Sequence, residues 1–147
     1  MNPAHIHLLV THLPVFGSIL GSIVLALGVK ANSQTAKLAA YYVLIISALG
    51  GVVAYMTGEE AEEIVEHIDG IAKEIIEVHE ESAIWALICS IVLRLLSVIG
   101  IYFTRRKAVL GRKISVIALL IALFSFIVTV RTGYLGGQIR HTEIIGK

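Results

Sequence analysis

The sequence has a single cysteine and none of the motifs that several common functions require. Cys89 excludes an internal disulfide, and there is no Cys-x-x-Cys pair or Cys-x-x-Cys-His motif. These absences exclude thiolate zinc sites, iron–sulfur clusters and covalently attached haem within the chain. The sequence also lacks a Ser-His-Asp order, a glycine-rich phosphate loop and any nucleic-acid-binding pattern, so we expect no nucleic-acid partner. A length of 147 residues predicts one domain.

Charged residues are missing from four long stretches of the chain. Hydrophobic residues make up 56% of the sequence. The stretches are Met1–Val29, Leu38–Gly58, Ser82–Thr104 (broken only by Arg94) and Ile114–Val130. Each is close to the roughly 17–25 residues that a helix needs to cross a bilayer, where backbone groups must be bonded internally. The sequence therefore predicts an all-α, four-helix transmembrane bundle with up-down-up-down topology. The predicted spans are about 6–29, 38–58, 82–104 and 114–131.

Two alternatives to this membrane fold are disfavoured. A soluble bundle would require four apolar helices to leave a polar exterior, which these stretches do not provide. A cleaved signal peptide would require a basic segment before a short apolar run, whereas no charge precedes Val29. We expect the first apolar stretch to remain as a membrane helix.

Basic residues are concentrated in the first and third connections between the predicted helices. Lys30 and Lys37 flank the first connection, and the third, TRRKAVLGRK, contains five basic residues. The second connection, residues 59–81, holds ten of the eleven acidic residues and one lysine. Short basic loops stay in the cytoplasm. The pattern predicts a multi-pass protein of the bacterial inner membrane, with both termini and the acidic segment in the periplasm.

The acidic segment 59–81 has the spacing and composition of helix rather than of a flexible loop. Good helix formers occupy both of its halves, and Asp69-Gly70 supplies a turn between them. We therefore expect a helical hairpin that extends helices 2 and 3 beyond the outer side of the membrane.

All six histidines lie on the predicted outer side. They are His5, His7, His12, His67, His79 and His141. Ionisable groups in membrane segments are costly, and they are functional by default. His12 and His79 are nearest to hydrocarbon and come from diagonal helices, so both are able to face the bundle axis.

Arg94 is a second ionisable residue within a predicted span. We consider three explanations for it: snorkelling to the headgroups, pairing inside the bundle or contact with another subunit.

Two cofactor chemistries fit the histidines. The first is haem b between helices, with His12 and His79 as the axial pair, His7 and His141 in reserve or serving a second haem, and Arg131 or Arg140 pairing with the propionates. The second is a non-haem zinc or iron site of a hydrolase or oxidase. Its candidate ligands are His7, His12, His67, His79, His141, Glu59 and Glu63. A third hypothesis is a structural or assembly subunit without a cofactor.

Three segments together resemble a bacterial family of uncharacterised four-helix integral membrane proteins. They are HLLVTHLP (7–14), VHEESA (78–83) and TGYLGGQIRH (132–141). The resemblance carries over to His7, His12, His79, Arg140 and His141, but not to His5 or His67. Members of that family are joined to Rieske or c-type cytochrome modules, which implies a redox role at the outer face. This implication favours haem b and an electron carrier or redox subunit over a stand-alone enzyme. We expect the lipid bilayer and either a redox partner protein or a second copy of the chain as partners.

Overall fold

The computed structural model describes residues 3–65 and 73–140, and these residues form helices joined by short turns. The helices are α1 (Pro3–Val10), α2 (His12–Lys30), α3 (Gln34–Val65), α4 (Lys73–Arg105) and α5 (Val109–Arg140). Only Thr11 separates α1 from α2, so the two together make the first helix of a four-helix bundle. The predicted all-α, four-helix fold is confirmed.

The break at Thr11 has a local cause in the sequence. Pro14 has no backbone N–H to donate to the carbonyl of Val10, and its ring crowds that carbonyl. The Thr11 hydroxyl donates to the Leu8 carbonyl oxygen at 2.9 Å, which adds a local bond where the helix ladder is interrupted. The chain is helical on both sides of this point. Proline therefore accounts for the interruption between α2 and α1, the segment that carries His7.

The helices pack in chain order around a square. α2 packs against α3, α3 against α4 and α4 against α5, while α5 closes the square against α2; the diagonal pair α3 and α5 has little contact in the described residues. α1 lies along the C-terminal half of α3. This arrangement gives the alternating topology that the short turns at 31–33 and 106–108 require.

The interior of the bundle is built from small and hydroxyl side chains. Leu25, Tyr41, Leu44 and Leu93 are its largest fully buried residues. They are surrounded by a set of buried serines, namely Ser18, Ser22, Ser47, Ser82, Ser90, Ser97, Ser115 and Ser125. Small residues allow membrane helices to approach each other closely. Gly100 is one such point, because a Cβ at this position would overlap the ring of Tyr41.

The exterior of the bundle is apolar, the reverse of a soluble protein. Leu9 and Met56 are each 68% exposed, and Ile127 is 64% exposed. By length and composition, four helical stretches can cross a membrane: His5–Lys30, Gln34–Ala61, Lys73–Arg105 and Val109–Ile139. An exterior of this kind is suited to lipid rather than to water.

The second, third and fourth helices are longer than the predicted spans. α3 continues to Val65 and α4 begins at Lys73, so helix is present on both arms of the acidic segment. The predicted turn at Asp69-Gly70 lies outside the described residues.

Arg94 is exposed on α4, so the alternative of pairing inside the bundle is wrong.

Candidate functional site

His7 is held against α3 by its ring nitrogen Nδ1. This atom lies 2.9 Å from the carbonyl oxygen of Ala54 and 3.3 Å from Oγ1 of Thr57. A carbonyl oxygen only accepts hydrogen bonds, so Nδ1 carries the proton that it donates to Ala54. In the neutral ring the lone pair is then on Nε2. The ring is half-buried and lies beside Gly58.

His79 is held against α5 in the same manner. Its Nδ1 lies 3.1 Å from the carbonyl oxygen of Thr132, which again places the proton on Nδ1 and the lone pair on Nε2. The hydroxyl groups of Thr132 and Ser82 are 2.7 Å apart and join α4 to α5 at this level. A Cβ at Gly136 would lie only 3.1 Å from Cε1 of His79, so the ring packs directly on the α5 backbone.

His7 on α1 and His79 on α4, the histidine pair, both lie toward the end of the bundle opposite the turns at 31–33 and 106–108. Both rings are half-buried, and both have Nδ1 bonded to a backbone carbonyl of an adjacent helix. Metal-binding histidines commonly have this arrangement, because the second hydrogen bond fixes the tautomer and the orientation of the ring. Each ring of the pair therefore has its Nε2 atom available as a ligand.

His12 does not take part in this pair. Its ring is exposed, its Nδ1 bonds the Leu8 carbonyl oxygen of its own helix at 2.8 Å, and it stacks on Phe16 with 6.2 Å between the ring centroids. Together with Val43 and Ile46, it lines an apolar groove on the outside of α2 and α3. The expectation that His12 and His79 both face the bundle axis is therefore wrong for His12. The inward face of α2 begins at Pro14, and His12 projects from the opposite face.

The other candidate residues are placed as follows. Glu59 and Arg131 are exposed, Glu59 directly after Gly58 and Arg131 directly before Thr132. The side chains of Glu63 and Arg140, and all of His67 and His141, lie outside the part of the chain that the structure describes. Within the described part, no group of three or more His, Cys, Asp or Glu side chains comes together in a way that could hold a metal ion.

Sequence reasoning missed the groups that orient the two rings. The carbonyls of Ala54 and Thr132 are backbone atoms and leave no mark in the sequence. Gly58 and Gly136 are the signals that the sequence does contain. Each lies on a neighbouring helix where the absence of a side chain leaves space for a histidine ring. Gly136 lies in the segment TGYLGGQIRH, which the sequence analysis used only for the family resemblance.

No protein-family model, curated protein or solved structure matches this chain. The resemblance of three segments to a family of four-helix membrane proteins stays a prediction.

Proposed function

We propose that this chain is a b-type haem protein of the membrane in which His7 and His79 are the axial ligands. One observation carries the proposal: two half-buried imidazoles from different helices lie toward the same end of the bundle, each with Nδ1 bonded to a backbone carbonyl. The free Nε2 atoms are the donors that haem iron accepts in bis-histidine coordination. Bound haem b would supply reversible one-electron transfer between ferrous and ferric iron.

The number of ligands favours haem over a non-haem metal. A porphyrin supplies four nitrogens of its own, so two histidines complete the coordination, whereas a structural or catalytic zinc needs three or four protein ligands. The described residues offer the pair and no third ligand beside it. Arg131 precedes the residue that holds His79, and we propose that Arg131 or Arg140 pairs with the propionates.

The proposed setting is the periplasmic side of a bacterial inner membrane. The histidine pair is at the end of the bundle opposite the two basic turns, and short basic connections remain in the cytoplasm. Electrons would therefore be exchanged near the outer surface, with a redox partner protein or within a homo-oligomer. We propose a carrier or redox subunit rather than a stand-alone enzyme.

Absorption spectroscopy of the purified protein tests the haem proposal. We expect Soret and α bands in the reduced-minus-oxidised spectrum of the wild type, and their loss in His7→Gln and in His79→Gln. Glutamine retains an amide N–H that can donate to the backbone carbonyl, but it lacks the imidazole nitrogen that binds iron. The matched control is His12→Gln, which removes an exposed ring outside the pair and is expected to keep the spectrum. Gel filtration and helicity confirm that each variant is folded.

A wild-type spectrum without these bands would contradict haem binding. Equal loss in His12→Gln would contradict the choice of His7 over His12. Stoichiometric zinc or iron without porphyrin would select the second candidate, a non-haem site. That candidate is supported by two exposed carboxylates: Glu80 directly follows His79 in the sequence, and Glu59 directly follows Gly58, beside which His7 lies. A folded protein with neither porphyrin nor metal would indicate a structural or assembly subunit.

A further inference from the structure

We infer that the basic turn between α4 and α5 is a binding site for the headgroup of an anionic phospholipid. The basic-turn residues are Arg105, Arg106 and Lys107, and Arg112 and Lys113 follow them in the first turns of α5. All five side chains are exposed. This site is at the opposite end of the bundle from the histidine pair and does not depend on the proposed haem.

No carboxylate is available in this part of the chain to neutralise these charges. In the sequence, every aspartate and glutamate lies in the segment 59–81 or at position 143, and none lies near the short turns at 31–33 and 106–108. Seven of the twelve basic residues lie from 30 to 37 or from 105 to 113, at the ends of the helices next to the two short turns. Counter-charge at this end must come from outside the protein. The nearest source for residues at the membrane surface is lipid phosphate.

The guanidinium groups of the turn are held in place by aromatic residues. Arg105 donates from Nη2 to the hydroxyl oxygen of Tyr42 on α3 at 2.6 Å. The guanidinium carbon of Arg106 lies 4.9 Å from the ring centroid of Tyr102. The two tyrosines are 46% and 52% exposed, as expected for side chains at the level of lipid headgroups. Each contact uses only part of an arginine, so other N–H groups remain to donate to a phosphate.

Lys107 occupies a position in the turn whose backbone conformation favours other residue types. Lys107 has a φ of 52°, in the left-handed region, and Asn32 occupies the corresponding conformation in the other short turn with a φ of 49°. Asparagine and glycine are favoured in this conformation, and a residue such as lysine is strained there. The first turn of α5 likewise contains no acidic residue, although the helix dipole favours one. Lys107, Arg112 and Lys113 thus place positive charge at positions where it does not stabilise the isolated fold.

Native mass spectrometry of the detergent-purified protein tests this inference with phosphatidylglycerol and phosphatidylcholine as probes. We expect the wild type to retain phosphatidylglycerol in preference to phosphatidylcholine. Each basic residue near an anionic surface contributes a factor of about five, so Arg105→Gln with Arg106→Gln and Lys107→Gln should reduce phosphatidylglycerol affinity on the order of a hundredfold. The matched control is Lys73→Gln, which removes an exposed charge at the other end of α4 and is expected to leave this affinity unchanged.

A second variant, Arg112→Gln with Lys113→Gln, keeps the test valid if the triple variant does not fold, and its expected reduction is about twenty-five-fold. Equal retention of the two lipids by the wild type would overturn the inference. Equal loss of phosphatidylglycerol in Lys73→Gln would also overturn it, because the effect would then be one of overall charge. Displacement of the lipid by millimolar inorganic phosphate would identify a free-phosphate site instead. None of these outcomes depends on haem content.

Discussion

At the scale of single residues, the hydrogen bond made by Nδ1 of a histidine decides whether Nε2 is available to bind a metal. His7 and His79 each donate from Nδ1 to a carbonyl of a neighbouring helix, and this leaves Nε2 as the available donor atom for a metal. The carbonyls of Ala54 and Thr132 thereby act as positioning groups. They belong to the helix backbone, so their positions are as rigid as the bundle itself.

Gly136 determines how closely the His79 ring approaches α5. A Cβ at this position would lie 3.1 Å from Cε1 of His79, closer than an ordinary contact, so Gly136→Ala should displace the ring. We expect weakening of the 3.1 Å bond from Nδ1 to the Thr132 carbonyl oxygen. The free energy of unfolding should fall by about 0.5–1.5 kcal/mol relative to the controls. Imidazole nitrogen-15 shifts in protein without added cofactor report the bond directly.

The controls for Gly136→Ala are Gly133→Ala and Gly137→Ala. A Cβ at either position meets nothing within 4 Å in the described structure. All three substitutions gain the same helix propensity, up to about 1 kcal/mol, so the comparison isolates the contact with His79. Unchanged His79 nitrogen shifts in Gly136→Ala would show that the ring is not confined by α5.

The sequence singled out the histidines but did not show which of them are oriented by a neighbouring helix. His12 and His79 were predicted as ligands, whereas the structure bonds Nδ1 of His79 and of His7 to an adjacent helix and Nδ1 of His12 to its own helix. Periodicity shows which residues share a helix face, but it does not show which face points inward when every face is apolar. In α2 the inward face is marked by Pro14, Ser18 and Gly21 rather than by hydrophobic residues. Small residues were therefore the better guide to the interior.

At the scale of helices, the fold followed directly from the charge-free stretches. Their lengths and the absence of charge predicted the number of helices and their order, because a bilayer permits few alternatives. The break between α1 and α2 was not predicted. Its cause is Pro14, but the interruption lies three residues earlier, at Thr11. An interruption within a helix depends on local hydrogen bonds, and these cannot be predicted from the hydrophobicity of the sequence.

The contact between α3 and α4 depends on the absence of a side chain at Gly100. Tyr41 is fully buried and its hydroxyl donates to Oγ of Ser115 at 2.9 Å, so its ring has no free direction in which to move. Gly100→Ala would place a methyl group on that ring. We expect the free energy of unfolding in detergent to fall by about 1–3 kcal/mol, the usual range for overpacking.

A double-mutant cycle separates the overlap at Gly100 from a general effect of alanine. Tyr41→Leu makes space beside position 100, so Gly100→Ala should be less harmful in that background than in the wild type. Gly137→Ala, in open space, is the reference for helix propensity. An equal effect of Gly100→Ala with tyrosine and with leucine at position 41 would show that the two residues do not limit each other.

At the scale of the whole molecule, polarity is arranged along the bundle rather than from inside to outside. Acidic residues and the histidine pair are found toward one end, the basic turns are at the other, and lipid-compatible side chains surround the middle. A net charge of +1 conceals this separation, because the two ends nearly cancel. The same separation supports both the proposed orientation and the proposed lipid site, since each depends on where charge is placed and not on how much there is.

The single cysteine makes this orientation directly measurable. Cys89 is buried and 7% exposed, so Cys89→Ala provides a background without thiols. Lys73 at the start of α4 and Ala31 in the first turn are both exposed and are at opposite ends of the bundle. In bacterial spheroplasts, a membrane-impermeant maleimide should label Lys73→Cys and leave Ala31→Cys unlabelled, whereas lysis should expose both, because basic turns remain in the cytoplasm. Labelling of Ala31→Cys alone in spheroplasts would mean that the histidine pair faces the cytoplasm.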